Sequence, residues 1–198
     1  PGGQVVDSTT LERMWSPAGT GERRTYGLGF GIDTLAGERS VGHGGAIYGF
    51  STQLTALPDA KLGAVVVTNL DATNTVTSRV AEAALRMMTA HREGADLPEP
   101  VTTGPVAAER ARELDGRYGE GERAVDLEEQ GGVLRLSADR GGHQLRVRRH
   151  GDALLTDGRL GFGTRIVPLE DGLAVGGDTL RRVADRRPEP APAEWEGL

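Results

Sequence analysis

The sequence predicts an α+β protein: an antiparallel sheet flanked by helices, followed by a small all-β, barrel-like domain. Three observations predict it. Residues 50–69 read as two apolar runs around the turn Pro58-Asp-Ala-Lys61, and a helix-period segment, Thr73–His91, follows at once. From Leu114 onward the pattern changes to short β-like runs parted by glycine turns, the spacing of a small antiparallel barrel or half-barrel. Between the two, residues 92–106 hold three prolines and little periodicity, the composition of a linker.

Each element follows from its residues. Asp7 or Ser8 can cap a short helix that carries Leu11, Met14 and Trp15 on one face. Residues 18–24 form a loop. Tyr26–Ile32 alternates with period two, so Tyr26, Leu28, Phe30 and Ile32 should enter a core. Gly27, Gly29 and Gly31 on the bare face admit a neighbouring backbone or helix at close range. His43 heads the next strand-like segment. Phe50–Leu57 and Leu62–Asn69 then make a hairpin, giving three antiparallel strands in all. Ala64-Val-Val-Val67 is continuously apolar, which predicts a strand buried on both faces. In the helix that follows, Val76, Val80, Ala83, Ala84, Met87 and Met88 form one stripe expected to lie on the sheet, with the methionines as core fillers.

A short helix is expected around Ala107–Glu113. Strands are expected at 123–129, 132–137, 143–149, 153–156, 164–169 and 172–175, with Thr179–Val183 closing the set. The organisation is then a first domain over 1–91, a linker over 92–113, a small β-domain over 114–184 and a proline-rich linker or tail over 185–198.

Composition excludes several classes of function. The chain has 198 residues, 37% hydrophobic and 26% charged, which suits a globular fold of one or two domains. A net charge of −6 argues against nucleic acid as a main partner. No apolar run is long enough to cross a bilayer. With no cysteine there is neither a disulfide framework nor a thiolate metal site, and the redox compartment stays open. His91, His143 and His150 fit no metal-ligand spacing, so no metal or other cofactor is expected.

The most informative stretch is residues 41–52, Val-Gly-His-Gly-Gly-Ala-Ile-Tyr-Gly-Phe-Ser-Thr. Glycines let another molecule approach the backbone, and an imidazole beside such backbone is what a site for a polar or anionic group needs. The plainer reading is a histidine in a glycine-rich turn. In the β-domain, Arg146, Arg148 and His150 share one strand face, with Arg135 nearby. They read either as an anion-binding patch or as charges that protect a solvated edge strand.

Tyr26-Gly-Leu-Gly-Phe-Gly31, His43-Gly-Gly45, Gly49-Phe50-Ser51, the hairpin and Val65-Val-Val-Thr-Asn69 recur in this order in one family. Over roughly residues 5–91 the chain resembles the C-terminal part of the serine hydrolases related to class C β-lactamases, D-alanyl-D-alanine peptidases and their esterase cousins. That family combines a Ser-x-x-Lys nucleophile, a Tyr-x-Asn or similar, and a Lys-Thr-Gly-like triplet on a strand. His43-Gly44-Gly45 resembles the third element. The other two are missing. Lys61 is the only lysine, and position 58, three before it, is proline; Tyr26, Tyr48 and Tyr118 are followed two residues on by Leu28, Phe50 and Glu120. A serine hydroxyl is a weak nucleophile without an adjacent base. The expectation is therefore a hydrolase fragment that carries one wall of an active site and, alone, catalyses no acyl transfer.

The resemblance implies roles for the residues that match. The Ala46 N–H would be one of two oxyanion donors, and His43 would orient substrate or help move a proton. Gly44 and Gly45 would leave room for an acyl chain along the strand. It implies a small ester or peptide substrate, no cofactor, and the missing N-terminal half of the hydrolase domain as partner. Histidine at position 43, in place of a permanently charged lysine, leans towards an esterase or peptidase over a dedicated β-lactamase. Relatives often act in the periplasm or outside the cell, but without the start of the protein the compartment is undecided. Leu114-Asp-Gly-Arg-Tyr118 and the strands after it resemble the lipocalin-like β-modules appended to many of these hydrolases. The alternative is a non-catalytic ligand- or partner-binding protein with a degenerate hydrolase fold. In either case an uncovered sheet face predicts marginal stability or dimerisation.

Overall fold

The computed structural model describes residues 5–17, 26–138 and 142–183. The loop expected at 18–24 and the tail at 185–198 lie outside the described residues. The chain divides into two compact units, Pro1–Val101 and Thr102–Leu198.

The first unit opens with α1 (Ser8–Met14). Asp7 caps it, its carboxylate accepting from the Thr10 N–H at 2.8 Å. That N–H holds the Asp7 carboxyl below its ordinary range. The expected strand at 26–32 begins later, as β1 (Gly31–Leu35); Tyr26 and Leu28, assigned to a core, are 48% and 54% exposed. The reason is Gly27. A β-carbon there would lie 2.1 Å from the Met14 carbonyl oxygen, so this stretch packs through its glycine against the end of α1, and its large side chains turn outward.

β1 and β2 (Glu38–Ile47) form a hairpin around Ala36 and Gly37, whose φ angles of 53° and 81° are those of a tight primed turn. β3 (Phe50–Leu57) and β4 (Leu62–Thr68) complete an antiparallel sheet in the order β1-β2-β3-β4, four strands instead of three. β4 is not buried on both faces: it is a sheet edge, and Val65 and Val67 are 69% and 60% exposed.

One helix, α2 (Asn74–Glu93), packs on this sheet, mainly over β3 and β4. Its buried face is Thr77, Ala81, Leu85 and Thr89, at helical spacing, whereas Val80 and Met88 are exposed. The expected apolar stripe is thus displaced round the helix. Thr77 can be buried because its hydroxyl donates to the Asn74 carbonyl at 3.0 Å. Leu35, Leu57 and Leu85 form the centre of the core, with Ala60, Leu62 and Ala64 against it. Arg39 bonds both Glu12 and Asp59, tying α1 to the sheet; the Arg39 guanidinium depresses the Glu12 carboxyl.

The second unit is dominated by sheet. After α3 (Ala108–Leu114) come β5 (Gly116–Tyr118), β6 (Val125–Gln130), β7 (Val133–Ala138), β8 (Leu145–His150), β9 (Ala153–Asp157), β10 (Phe162–Leu169), β11 (Gly172–Val175) and β12 (Asp178–Arg181). Every neighbour in the sheet is the next strand in sequence. Beyond β12 the chain meets β5: Gly119 N–H donates to the Arg181 carbonyl at 2.8 Å, and Val183 N–H to that of Arg117 at 3.0 Å. The result is a nearly closed eight-stranded barrel. Side chains fill it, among them Tyr118, Leu127, Leu134, Val147, Ile166 and Leu173, with Ala111 and Leu114 of α3 in the same cluster.

β7 and β8 share only the pairs Arg135–Arg146 and Leu136–Leu145. Further along β8, Gly104 takes the vacated edge and exchanges both backbone hydrogen bonds with Arg149, each at 2.8 Å. Arg148 secures the same segment, donating to Thr103 Oγ1 at 2.8 Å and to its carbonyl at 3.1 Å. His150 Nδ1 lies 3.0 Å from the Thr102 carbonyl oxygen. The basic face is therefore not a solvated edge. Two of its members hold residues 102–104 against the barrel.

Candidate functional site

His43, Gly44 and Gly45 lie in the second half of β2, opposite Leu54, Gln53 and Thr52 of β3. His43 is exposed, as are Gly44 and Ala46. β1 pairs with β2 only as far as Gly42. The two hairpins flanking β2 each close across two residues, Leu35–Glu38 and Ile47–Phe50, and this fixes which backbone groups point where. Residues 38, 40 and 42 turn theirs to β1; residues 41, 43, 45 and 47 turn theirs to β3. The N–H groups of Gly44 and Ala46 then face the side where β1 has already ended. Among the described residues no strand pairs with β2 there.

Three contacts hold this open edge in place. At the hairpin tip Gly49 has φ of 82°, and its N–H donates to Asp71 Oδ1 at 2.6 Å. Asn74, the first residue of α2, donates from Nδ2 to the Gly45 carbonyl at 3.0 Å and reaches the Thr52 carbonyl at 3.4 Å. The start of α2 is fixed in turn by a hydroxyl cluster: Ser51 Oγ accepts from the Thr73 N–H at 3.1 Å and donates to the Leu70 carbonyl at 3.0 Å. Thr68 and Thr73 hydroxyls meet at 2.7 Å. Ser51 is wholly buried and Thr73 nearly so.

The glycines have distinct surroundings. A β-carbon at Gly44 would lie 3.2 Å from Gln53 Oε1 and 3.5 Å from Asn74 Nδ2, on the helix side of the sheet. One at Gly45 would lie 2.4 Å from Thr52 Oγ1, on the face that His43 also uses. On that face the Tyr26 ring meets His43 edge to face. A cleft of about 450 Å³, lined by Asp33, Ser40, Thr55 and Arg86, opens on the opposite face and takes no part in this edge.

The structure thus brings His43, the two glycines and Ala46 onto one open strand edge. Asp71 and Asn74 escaped the sequence reading because Asp-x-x-Asn ahead of a helical run signals an ordinary helix start. Among the described residues no group of three acidic or histidine side chains could hold a metal ion. Nor, among the described residues, is any helix long and apolar enough to cross a membrane.

An exposed histidine and the outward amides of Gly44 and Ala46 thus lie on the stretch of β2 beyond its pairing with β1, with one helix behind the sheet. Residues 2–87 match the family model described as Beta-lactamase, so this part of the chain is β-lactamase-like. No curated protein matches the chain. Among solved structures it is similar to the octameric penicillin-binding protein homologue from Pyrococcus abyssi, at 19% identity over 89% of this chain and 42% of that one, with a TM-score of 0.41. It is also similar to SurE crystallised with D-Leu, at 18% identity over 90% of this chain and 44% of that one, with a TM-score of 0.35. The chain spans less than half the length of these structures.

Proposed function

We propose that the first unit forms one wall of a serine-hydrolase active site, with the nucleophile supplied by polypeptide outside these 198 residues. One observation carries the reading: the Ala46 N–H is directed away from β3 on an unpaired edge, three residues along β2 from the outward dyad of His43 and Tyr26. An amide so placed can donate to an oxyanion, and a donor of this kind is worth about 3 kcal/mol to the transition state. The partner donor would be the nucleophile's own N–H. His43 would orient the substrate or carry a proton near neutral pH. The acyl group would run along the free edge beside Gly44 and Gly45, as an extended chain does on a sheet edge.

The substrate class favoured is an ester or a D-amino-acid peptide over a β-lactam, since no permanent cation stands at position 43. The family part would end near residue 91, and the eight-stranded barrel after it would be an appended lipocalin-like module. Its filled interior supports a structural or docking role for it over small-molecule storage.

Hydrolysis of an activated ester tests the reading. The 198-residue chain alone should not exceed buffer. Adding an upstream segment that bears Ser-x-x-Lys and Tyr-x-Asn should restore turnover, and His43→Ala should remove it. Turnover by the chain alone, or none after complementation, would overturn the proposal.

A further inference from the structure

Asn74 stands behind the sheet, yet it acts on the peptide unit that faces the open edge. The Gly45 carbonyl and the Ala46 N–H belong to one planar peptide group and point in opposite directions. Asn74 Nδ2 donates to that carbonyl at 3.0 Å. We infer that Asn74 is a positioning residue for the Ala46 N–H. Its side-chain amide fixes the plane of the Gly45–Ala46 peptide and polarises it, so that the amide proton at the far end is a stronger, pre-aimed donor. The inference rests on the hydrolase reading for the use of that proton, but the coupling itself is a property of this chain.

Three further observations support it. A hydrogen bond to a carbonyl strengthens the donor at the other end of the same amide, as in any hydrogen-bonded chain. The geometry is prepaid, because buried Ser51 and Thr73, joined by the half-buried Thr68 hydroxyl, anchor the first turn of α2 to β3 and hold Asn74 against the strand. Finally, Gly44 leaves the helix side of the strand uncrowded: a β-carbon at that position would meet Asn74 Nδ2 at an ordinary contact distance of 3.5 Å but would crowd Gln53 Oε1 at 3.2 Å.

Asn74→Asp and Asn74→Ala test this in the isotopically labelled 198-residue chain and in the complemented hydrolase. Aspartate keeps the shape and suits a helix N-terminus, so α2 should be retained while the donor is lost. In both variants the Gly45 carbonyl carbon and the Ala46 amide proton should move upfield in NMR spectra, with the helical signals of α2 retained in Asn74→Asp. In the complemented enzyme kcat should fall about tenfold at constant KM, a fraction of the loss expected for deleting an oxyanion donor. Unmoved Gly45 and Ala46 signals would overturn the inference. So would moved signals with unchanged kcat, and that result would leave the hydrolase reading standing. If the complemented wild type shows no turnover, the hydrolase reading falls, and the NMR comparison alone decides whether Asn74 sets this peptide.

Discussion

The rings of Tyr26 and His43 stand edge to face, their centroids 6.2 Å apart and their planes at 73°. Tyr26 comes from the stretch before β1 and His43 from β2, so the contact joins two segments at the mouth of the open edge. Edge-to-face pairs contribute about 1 kcal/mol when buried, and less at an exposed site such as this one. Tyr26→Leu should therefore shift the His43 ring proton resonances while leaving the melting temperature nearly unchanged. A large loss of stability would show instead that Tyr26 belongs to the core.

Ser51→Ala should do the reverse. Its hydroxyl is wholly buried and serves both the Thr73 N–H and the Leu70 carbonyl. Removing it strands the buried Thr73 N–H, while the Leu70 carbonyl keeps its bond from the Thr73 hydroxyl, a loss of about 2 kcal/mol. Urea titration followed by far-UV circular dichroism should show the loss in the transition of the first unit.

Acid should loosen α1 before the sheet. Asp7 and Glu12 are held below their ordinary ranges, by the Thr10 N–H and by Arg39 respectively. A carboxyl depressed in the folded state contributes stability above its unfolded value and loses it as pH falls through the folded one. Trp15, at the end of α1, reports on this step. Its fluorescence should change only below the ordinary carboxylate range, and Arg39→Met should move the change to higher pH. A trace flat into strong acid would refute the coupling.

Alkali should act on the second unit through Tyr118. Burial raises its phenol above the ordinary value of 10.0, opposed by the nearby Arg182 charge. Stability from a raised group is complete below the unfolded value and is lost as pH rises through the folded one. Unfolding of the barrel should therefore steepen above pH 10, and Tyr118→Phe should abolish that limb. At neutral pH the same change forfeits the bond to the Leu114 carbonyl, about 1 kcal/mol.

The face of the first sheet that carries Ile47, Phe50, Leu54, Val65 and Val67 is open, with Ile47 72% exposed. An apolar face of this kind promotes association. Sedimentation of the chain should show a concentration-dependent dimer, and Val65→Lys with Val67→Lys on the edge strand should return it to monomer. A monomer at every concentration in the unsubstituted chain would contradict this.

How far these features were legible in the sequence depended on whether local signals agreed with tertiary demands. The barrel strands from β6 to β12 were read closely, because glycine turns such as Gly131-Gly132 and Gly176-Gly177, all at positive φ, separate them. β5 was missed since three residues carry no period. The β1–β2 turn was hidden by Ala36, a residue rarely found at positive φ. The apolar run of β4 suggests burial on both faces, but among the described residues only α2 supplies a cover. Buried Thr77 does not show in the apolar stripe of α2, because hydrophobicity does not reveal a hydroxyl satisfied within its own helix. At the site, His43 and the glycines stood out in the sequence. Asn74 did not, since its role depends on a helix start lying against a strand almost thirty residues earlier.

The closure of the barrel sets the order in which this protein can be made. Arg182 donates to the Glu113 carbonyl across 69 positions, and residues 181–183 pair with β5, so the first strand waits for the last. The strands of the first unit, by contrast, are joined by hairpins whose partners emerge within a few residues of each other. During synthesis the first unit can therefore assemble while the second is still an open, growing sheet with β5 unpaired on one side. A ribosome stalled just before residue 181 would hold a nascent chain whose first half resists protease and whose second half does not.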